Sequence, residues 1–109
     1  MPEITLFQLE NDSISITIKA YFEEENLVID GYDIGKRVKE IFGDSDYEYS
    51  TTIPEKEVKK LYPLFNIDEA DKEGLLKAIA EKFNTNSCYS QFRDFLENNG
   101  IKSEGFSWA

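Results

Sequence analysis

The residues best equipped for chemistry crowd into one short run, Asp44-Ser45-Asp46-Tyr47-Glu48-Tyr49. In an extended segment, alternation puts Asp44, Asp46 and Glu48 on one side, where three carboxylates suit a hard cation such as Ca²⁺. The run lacks the glycine and the distal glutamate of an EF-hand loop. Dividing two of its carboxylates into an acid and a base would need a pocket that raises one pKa. The tyrosines offer a different use. Aromatic faces beside negative charge attract Lys and Arg side chains by cation–π contact and ion pairing. Tyr21, on the polar side of an alternating segment, and Trp108, close to Phe106, extend the set. The candidate partner-binding residues are therefore Asp44, Asp46, Tyr47, Glu48, Tyr49, Tyr21 and Trp108. The plain alternative is a solvated acidic loop, with the tyrosines and Trp108 completing a second, smaller core.

Other chemistries are excluded by what the chain lacks. It has no histidine, and so no Ser-His or Cys-His nucleophile and no His-rich zinc site. Gly31 and Gly35 stand four apart without the rest of a phosphate-binding fingerprint, so no nucleotide cofactor is expected. The single cysteine, Cys88, has no histidine to activate it. It shares a helical stripe with Phe92, Phe95 and Leu96, which marks it as a core residue. Glu23-Glu24-Glu25 reads as an exposed turn. No catalytic, cofactor or metal residue is assigned.

Charge is the stronger clue. The chain has 109 residues and a net charge of −10. Residues 1–50 hold 12 acidic and 4 basic side chains, whereas residues 51–109 hold 10 and 8. The negative charge thus belongs to the first half. It disfavours nucleic acid and anionic membranes and favours a basic protein surface. Surplus carboxylates also serve solubility alone. One cysteine, no basic-apolar leader and no long apolar run lead us to expect a cytoplasmic protein. With 40% apolar residues, including eight Phe, six Tyr and one Trp, the chain can fill one core. No linker divides it, so a single domain over residues 1–109 is expected.

The elements that must position these residues follow from periodicity. Ser13 to Phe22 alternates strictly, with Ile14, Ile16, Ile18, Ala20 and Phe22 on one face. Ile4 to Leu9 precedes it through an Asn11-Asp12 turn, and Leu27 to Asp30 follows the glutamate turn, making a three-stranded meander. Asp30-Gly31 is expected to end the third strand, and Asp33 to cap a helix from Ile34 to Phe42 with Gly43 as its C′ residue. Tyr47 to Ile53 reads as a fourth strand. Thr52-Ile53-Pro54-Glu55 has capping-box spacing ahead of a helix burying Val58, Leu61, Tyr62 and Phe65, which Pro63 should end or kink. Further helices are expected from Glu69 to Phe83 and from Ser87 to Asn98, then a last, short strand from Ile101 to Trp108. The fold class is α+β: an antiparallel sheet of 4–5 strands with about four helices packed mainly on one face.

Leu27-Val28-Ile29-Asp30-Gly31-Tyr32-Asp33-Ile34-Gly35 and Phe42-Gly43-Asp44-Ser45-Asp46-Tyr47-Glu48-Tyr49, with Gly100-Ile101 and Phe106-Ser107-Trp108, resemble segments of a family of small uncharacterised bacterial proteins. The resemblance covers about a third of the chain and implies a bacterial cytosolic protein with no assigned catalytic residue. The reading that leads is a non-catalytic domain of the immunity or antitoxin kind that binds a basic protein. A carboxylate-based enzyme or divalent-cation binder using Asp44, Asp46 and Glu48, with Asp30 or Asp33 as an addition, is one alternative. A structural or oligomerisation module is another, and the oligomeric state is left open.

Overall fold

The computed structural model describes residues 3–35 and 46–108. Asp44, Gly43 and residues 36–42 of the expected helix lie outside this part, and Asp46 and Trp108 are described by their backbone alone. Among the described residues, β1 (Glu3–Glu10), β2 (Ile14–Glu23), β3 (Asn26–Gly35), β4 (Asp46–Ile53) and β5 (Glu104–Trp108) form one antiparallel sheet in chain order. Between β4 and β5 come two single-turn helices, α1 (Glu55–Val58) and α2 (Leu61–Leu64), and two longer ones, α3 (Lys72–Lys82) and α4 (Cys88–Asn98). The α+β class and the opening meander agree with the sequence reading.

Alternation decides which face is buried. Ile16, Ile18, Ala20 and Phe22 of β2 stand in register with Leu27, Ile29 and their neighbours on β3, and these with Thr51 and Ile53 on β4. They share one core with Leu75, Leu76 and Ile79 of α3 and with Cys88, Phe92 and Leu96 of α4. Phe83 and Phe92 meet edge to face, their centroids 5.2 Å apart. All the helix residues in this core meet the sheet on the same side. β1 does not alternate cleanly, and a bulge between Thr5 and Phe7 explains why. The extra residue lets Leu6 be buried while Ile4 and Phe7 still pack against the core.

Several local expectations give way to tertiary contacts. β3 does not stop at Asp30-Gly31 but runs on to Gly35, and Asp33 lies inside the strand rather than capping a helix. Ile34 and Gly35, taken as helical from sequence, are strand residues. Gly31 is paired on both sides, with Ile18 and with Tyr49, and two ladders outweigh the turn preference of Asp-Gly. The capping box does not form either. Thr52 is held in β4, Pro54 takes the N-cap position, and Asn26 Oδ1 accepts the Glu55 N–H at 3.1 Å from another strand's end. The following helix breaks at Lys59-Lys60, ahead of Pro63, whose missing N–H cannot bond the Lys59 carbonyl.

α3 starts at Lys72 rather than Glu69, because the Asp71 carboxylate accepts the Gly74 N–H at 3.0 Å and so caps the helix. α4 ends as expected at Asn99-Gly100. Gly100 has φ +67, and Ile101 N–H reaches the Leu96 carbonyl at 2.9 Å. Ile101 then buries itself in the core instead of opening the last strand, which begins at Glu104. Glu57, almost fully buried, ties that connection down: its Oε1 accepts the Lys102 N–H at 2.7 Å and the Lys60 ammonium at 3.0 Å. Both interactions hold the Glu57 carboxyl below its ordinary range.

Candidate functional site

β4 carries most of the candidate residues, and a strand sends successive side chains to opposite faces. Tyr47 and Tyr49 stand in register with Asp33 and Gly31 on the side of the core, whereas Glu48 stands with Tyr32 on the opposite side. The acidic and aromatic residues that alternate in sequence are therefore divided between two sites.

The first lies on the sheet face turned away from the core. Among the described side chains, this face carries by register Glu3 and Glu10 of β1, Glu23 of β2, Asp30 of β3, Glu48 of β4 and Glu104 of β5, with Lys19 as the one lysine, and Asp46 stands on the same face by register. Lys19 is opposite Asp30 in the ladder, yet its Nζ sits 3.0 Å from Glu3 Oε1. Asp30 instead accepts the Tyr21 hydroxyl at 3.1 Å. Burial, the negative charge of Asp30 and the hydrogen bond to it push the Tyr21 hydroxyl up to about 12, so it stays a donor. Thr17, Lys19, Asp30, Tyr32, Glu48 and Ser50 surround a hollow of about 450 Å³ whose floor is the backbone of the central strands. Small Thr17 and Ser50 keep it open. Phe106, 59% exposed and opposite Ser50, and Trp108, opposite Glu48 in the ladder, extend the face to the sheet edge.

The second site is a groove of about 600 Å³ on the other side, between the ends of β3, β4 and β5 and the first half of α4. Tyr49 Oη donates to Asp33 Oδ1 at 2.9 Å, with its ring packed over Gly31. Tyr47 and Tyr89 flank that ring, at centroid distances of 5.4 Å (tilted) and 4.6 Å (edge to face). Tyr89 Oη and Thr51 Oγ1 are 2.6 Å apart and share a hydrogen bond. Arg93, Ser90 and Asn86 line the far wall with Ser107. Burial pushes the Asp33 carboxyl up, against the hydrogen bond from Tyr49, which lowers it. Burial and the Asp33 charge both raise the Tyr49 hydroxyl. Cys88 is buried and its thiol is raised by desolvation, so it remains a packed core residue.

Of the residues expected from sequence, Tyr21 and Glu48 thus share the acidic face. Trp108 is at its edge by register, Tyr47 and Tyr49 belong to the groove behind it, Asp46 is opposite Ile34 at the start of β4, and Asp44 lies outside the described residues. Among the described residues, no three of His, Cys, Asp and Glu are close enough together to hold a metal ion. Tyr32, Tyr89 and Arg93 were not singled out by sequence, and Asp30 and Asp33 entered the candidate set only as additions to the Asp44, Asp46 and Glu48 alternative. The polar-face alternation that marked Tyr21 pointed towards Tyr32. No protein-family model matches the chain, and no curated protein or solved structure matches it either.

Proposed function

We propose that this chain is a non-catalytic binding domain whose acidic sheet face covers a basic surface of another protein, in the manner of an immunity or antitoxin protein. The observation that carries this reading is the charge of one sheet face: among the described side chains, six carboxylates with one lysine, itself paired to Glu3. Such a surface steers a cationic partner towards it and gains little from a neutral one. The hollow beside Asp30 and Glu48 suits one Lys or Arg side chain, where Tyr32 and the carboxylates supply a ring face and acceptors. In the same reading the protein works in the cytoplasm, where a lone buried thiol such as Cys88 stays reduced. No helix among the described residues is long and apolar enough to cross a membrane.

An NMR titration of the whole chain with an arginine-rich peptide tests the face directly. Amide shifts should concentrate at Thr17, Asp30, Tyr32, Glu48 and Ser50, weaken with added salt, and vanish in the Asp30→Lys, Glu48→Lys double variant. Shifts centred on the Glu23–Glu25 turn or the helices, or binding indifferent to salt, would remove this reading.

A further inference from the structure

The groove behind the sheet has a different character from the acidic face, with one carboxylate, one guanidinium and three tyrosines. Its volume of about 600 Å³ is enough for a small molecule, and its lining is mostly polar and open to solvent. At one end, half-buried Asp33 receives a hydrogen bond from Tyr49 on Oδ1. No lysine or arginine among the described residues lies within 4 Å of it. A carboxylate partly removed from water gains from a cation placed beside it, and burial pushes the Asp33 pKa up. Tyr47 and Tyr89 each pack against the ring of Tyr49, whose hydroxyl meets Asp33, and such ring faces favour a cation.

At the other end is Arg93. In a chain with 22 acidic residues, its guanidinium has no carboxylate within 4 Å among the described residues, its helix neighbours Asp94 and Glu97 included. It reaches across the groove to β5 instead, where Nη2 is 3.8 Å from the point at which a side chain on Gly105 would begin. Its planar fork matches a carboxylate, and Ser90, Ser107 and Asn86 add neutral hydrogen-bonding groups alongside.

We propose that this groove binds a small zwitterion, with the cationic group beside Asp33 and the tyrosines and the carboxylate on Arg93. A simple anion would meet both Asp33 and the field of a protein carrying −10, and a simple cation would meet Arg93. A molecule with both charges separated along its length satisfies each end and carries no net charge for the protein to repel. Amino acids with a terminal amine or guanidine are the chemical class. The site is on the opposite side of the sheet from the proposed partner face and does not depend on it.

The test is a titration of the full chain with glycine, γ-aminobutyrate and ε-aminocaproate, followed by calorimetry and by the amide and ring signals of Tyr47, Tyr89 and Arg93. Hexanoate and hexylamine serve as half-ligands. One of the two longer zwitterions should bind at about the millimolar level, at least tenfold more tightly than either half-ligand. Arg93→Gln and Asp33→Asn should each weaken it at least tenfold while the far-UV circular dichroism is unchanged. Failure of all three zwitterions to bind would overturn the proposal. So would equal binding of hexanoate or hexylamine, or full retention of affinity in Arg93→Gln.

Discussion

A methyl group on Gly31 should act through a residue on the neighbouring strand. A Cβ built there would lie 1.9 Å from Cε2, 2.2 Å from Cζ and 2.6 Å from Cδ2 of Tyr49, inside the space of the ring. The ring cannot stay, because two carbons in non-bonded contact need about 3.5 Å. If it swings away, Tyr49 loses its hydrogen bond to the Asp33 carboxyl, worth about 1.5–3 kcal/mol for a charged acceptor. It also loses the edge-to-face contact with Tyr89, worth about 0.5–1.5 kcal/mol. Replacing a strand glycine returns roughly 0.5–1 kcal/mol of chain entropy. Gly31→Ala should therefore destabilise the fold by about 1–4 kcal/mol. Urea unfolding followed by circular dichroism measures this, and a double-mutant cycle with Tyr49→Ala isolates the cause. Once the ring is removed, Gly31→Ala should cost less than about 0.5 kcal/mol or even stabilise. An equal cost in both backgrounds, or no cost in the parent, would refute the argument.

Two further expectations concern buried groups. Glu57→Gln should lower the urea midpoint at neutral pH by weakening the tie from α1 to Lys102. Because the folded state depresses the Glu57 pKa, its contribution is present at neutral pH and is lost as the pH falls through that depressed value. The parent should lose stability on acidification more steeply than the variant, which equilibrium unfolding at a series of acid pH values would register. Cys88 should not react with a thiol reagent in the native protein and should react fully in urea. Cys88→Ser should cost about 1–3 kcal/mol by placing a hydroxyl in an apolar core, with no other effect on the circular dichroism spectrum.

Much of the architecture was legible because it rests on period alone. β2 reads directly from Ile14 to Phe22, and α4 from Cys88, Phe92 and Leu96, since burial on one face needs nothing but the right spacing. Capping was legible only where it is local. Gly100 ends α4 as its neighbours predict, but Glu55 is capped by Asn26, distant in sequence, in place of the local box at Thr52. Asp-Gly at residues 30 and 31 resembles a turn until strands on both sides claim it. Asp33, marked as a helix cap, proves to be the partner of Tyr49.

Composition and order of residues by themselves determined an acidic α+β chain without histidine chemistry, with its charge concentrated in the sheet-forming half. Only the tertiary structure decided which charges and rings meet. The pleat of β4 separates Glu48 from Tyr47 and Tyr49 although they are adjacent in the chain, because neighbouring strand residues face opposite ways. The ladder then joins Glu48 to an acidic face built from all five strands, while helix packing brings Tyr89 and Arg93 to the tyrosines. Charge is counted along a sequence, but a site depends on distance and direction, and these arise only when the sheet and helices close on one another.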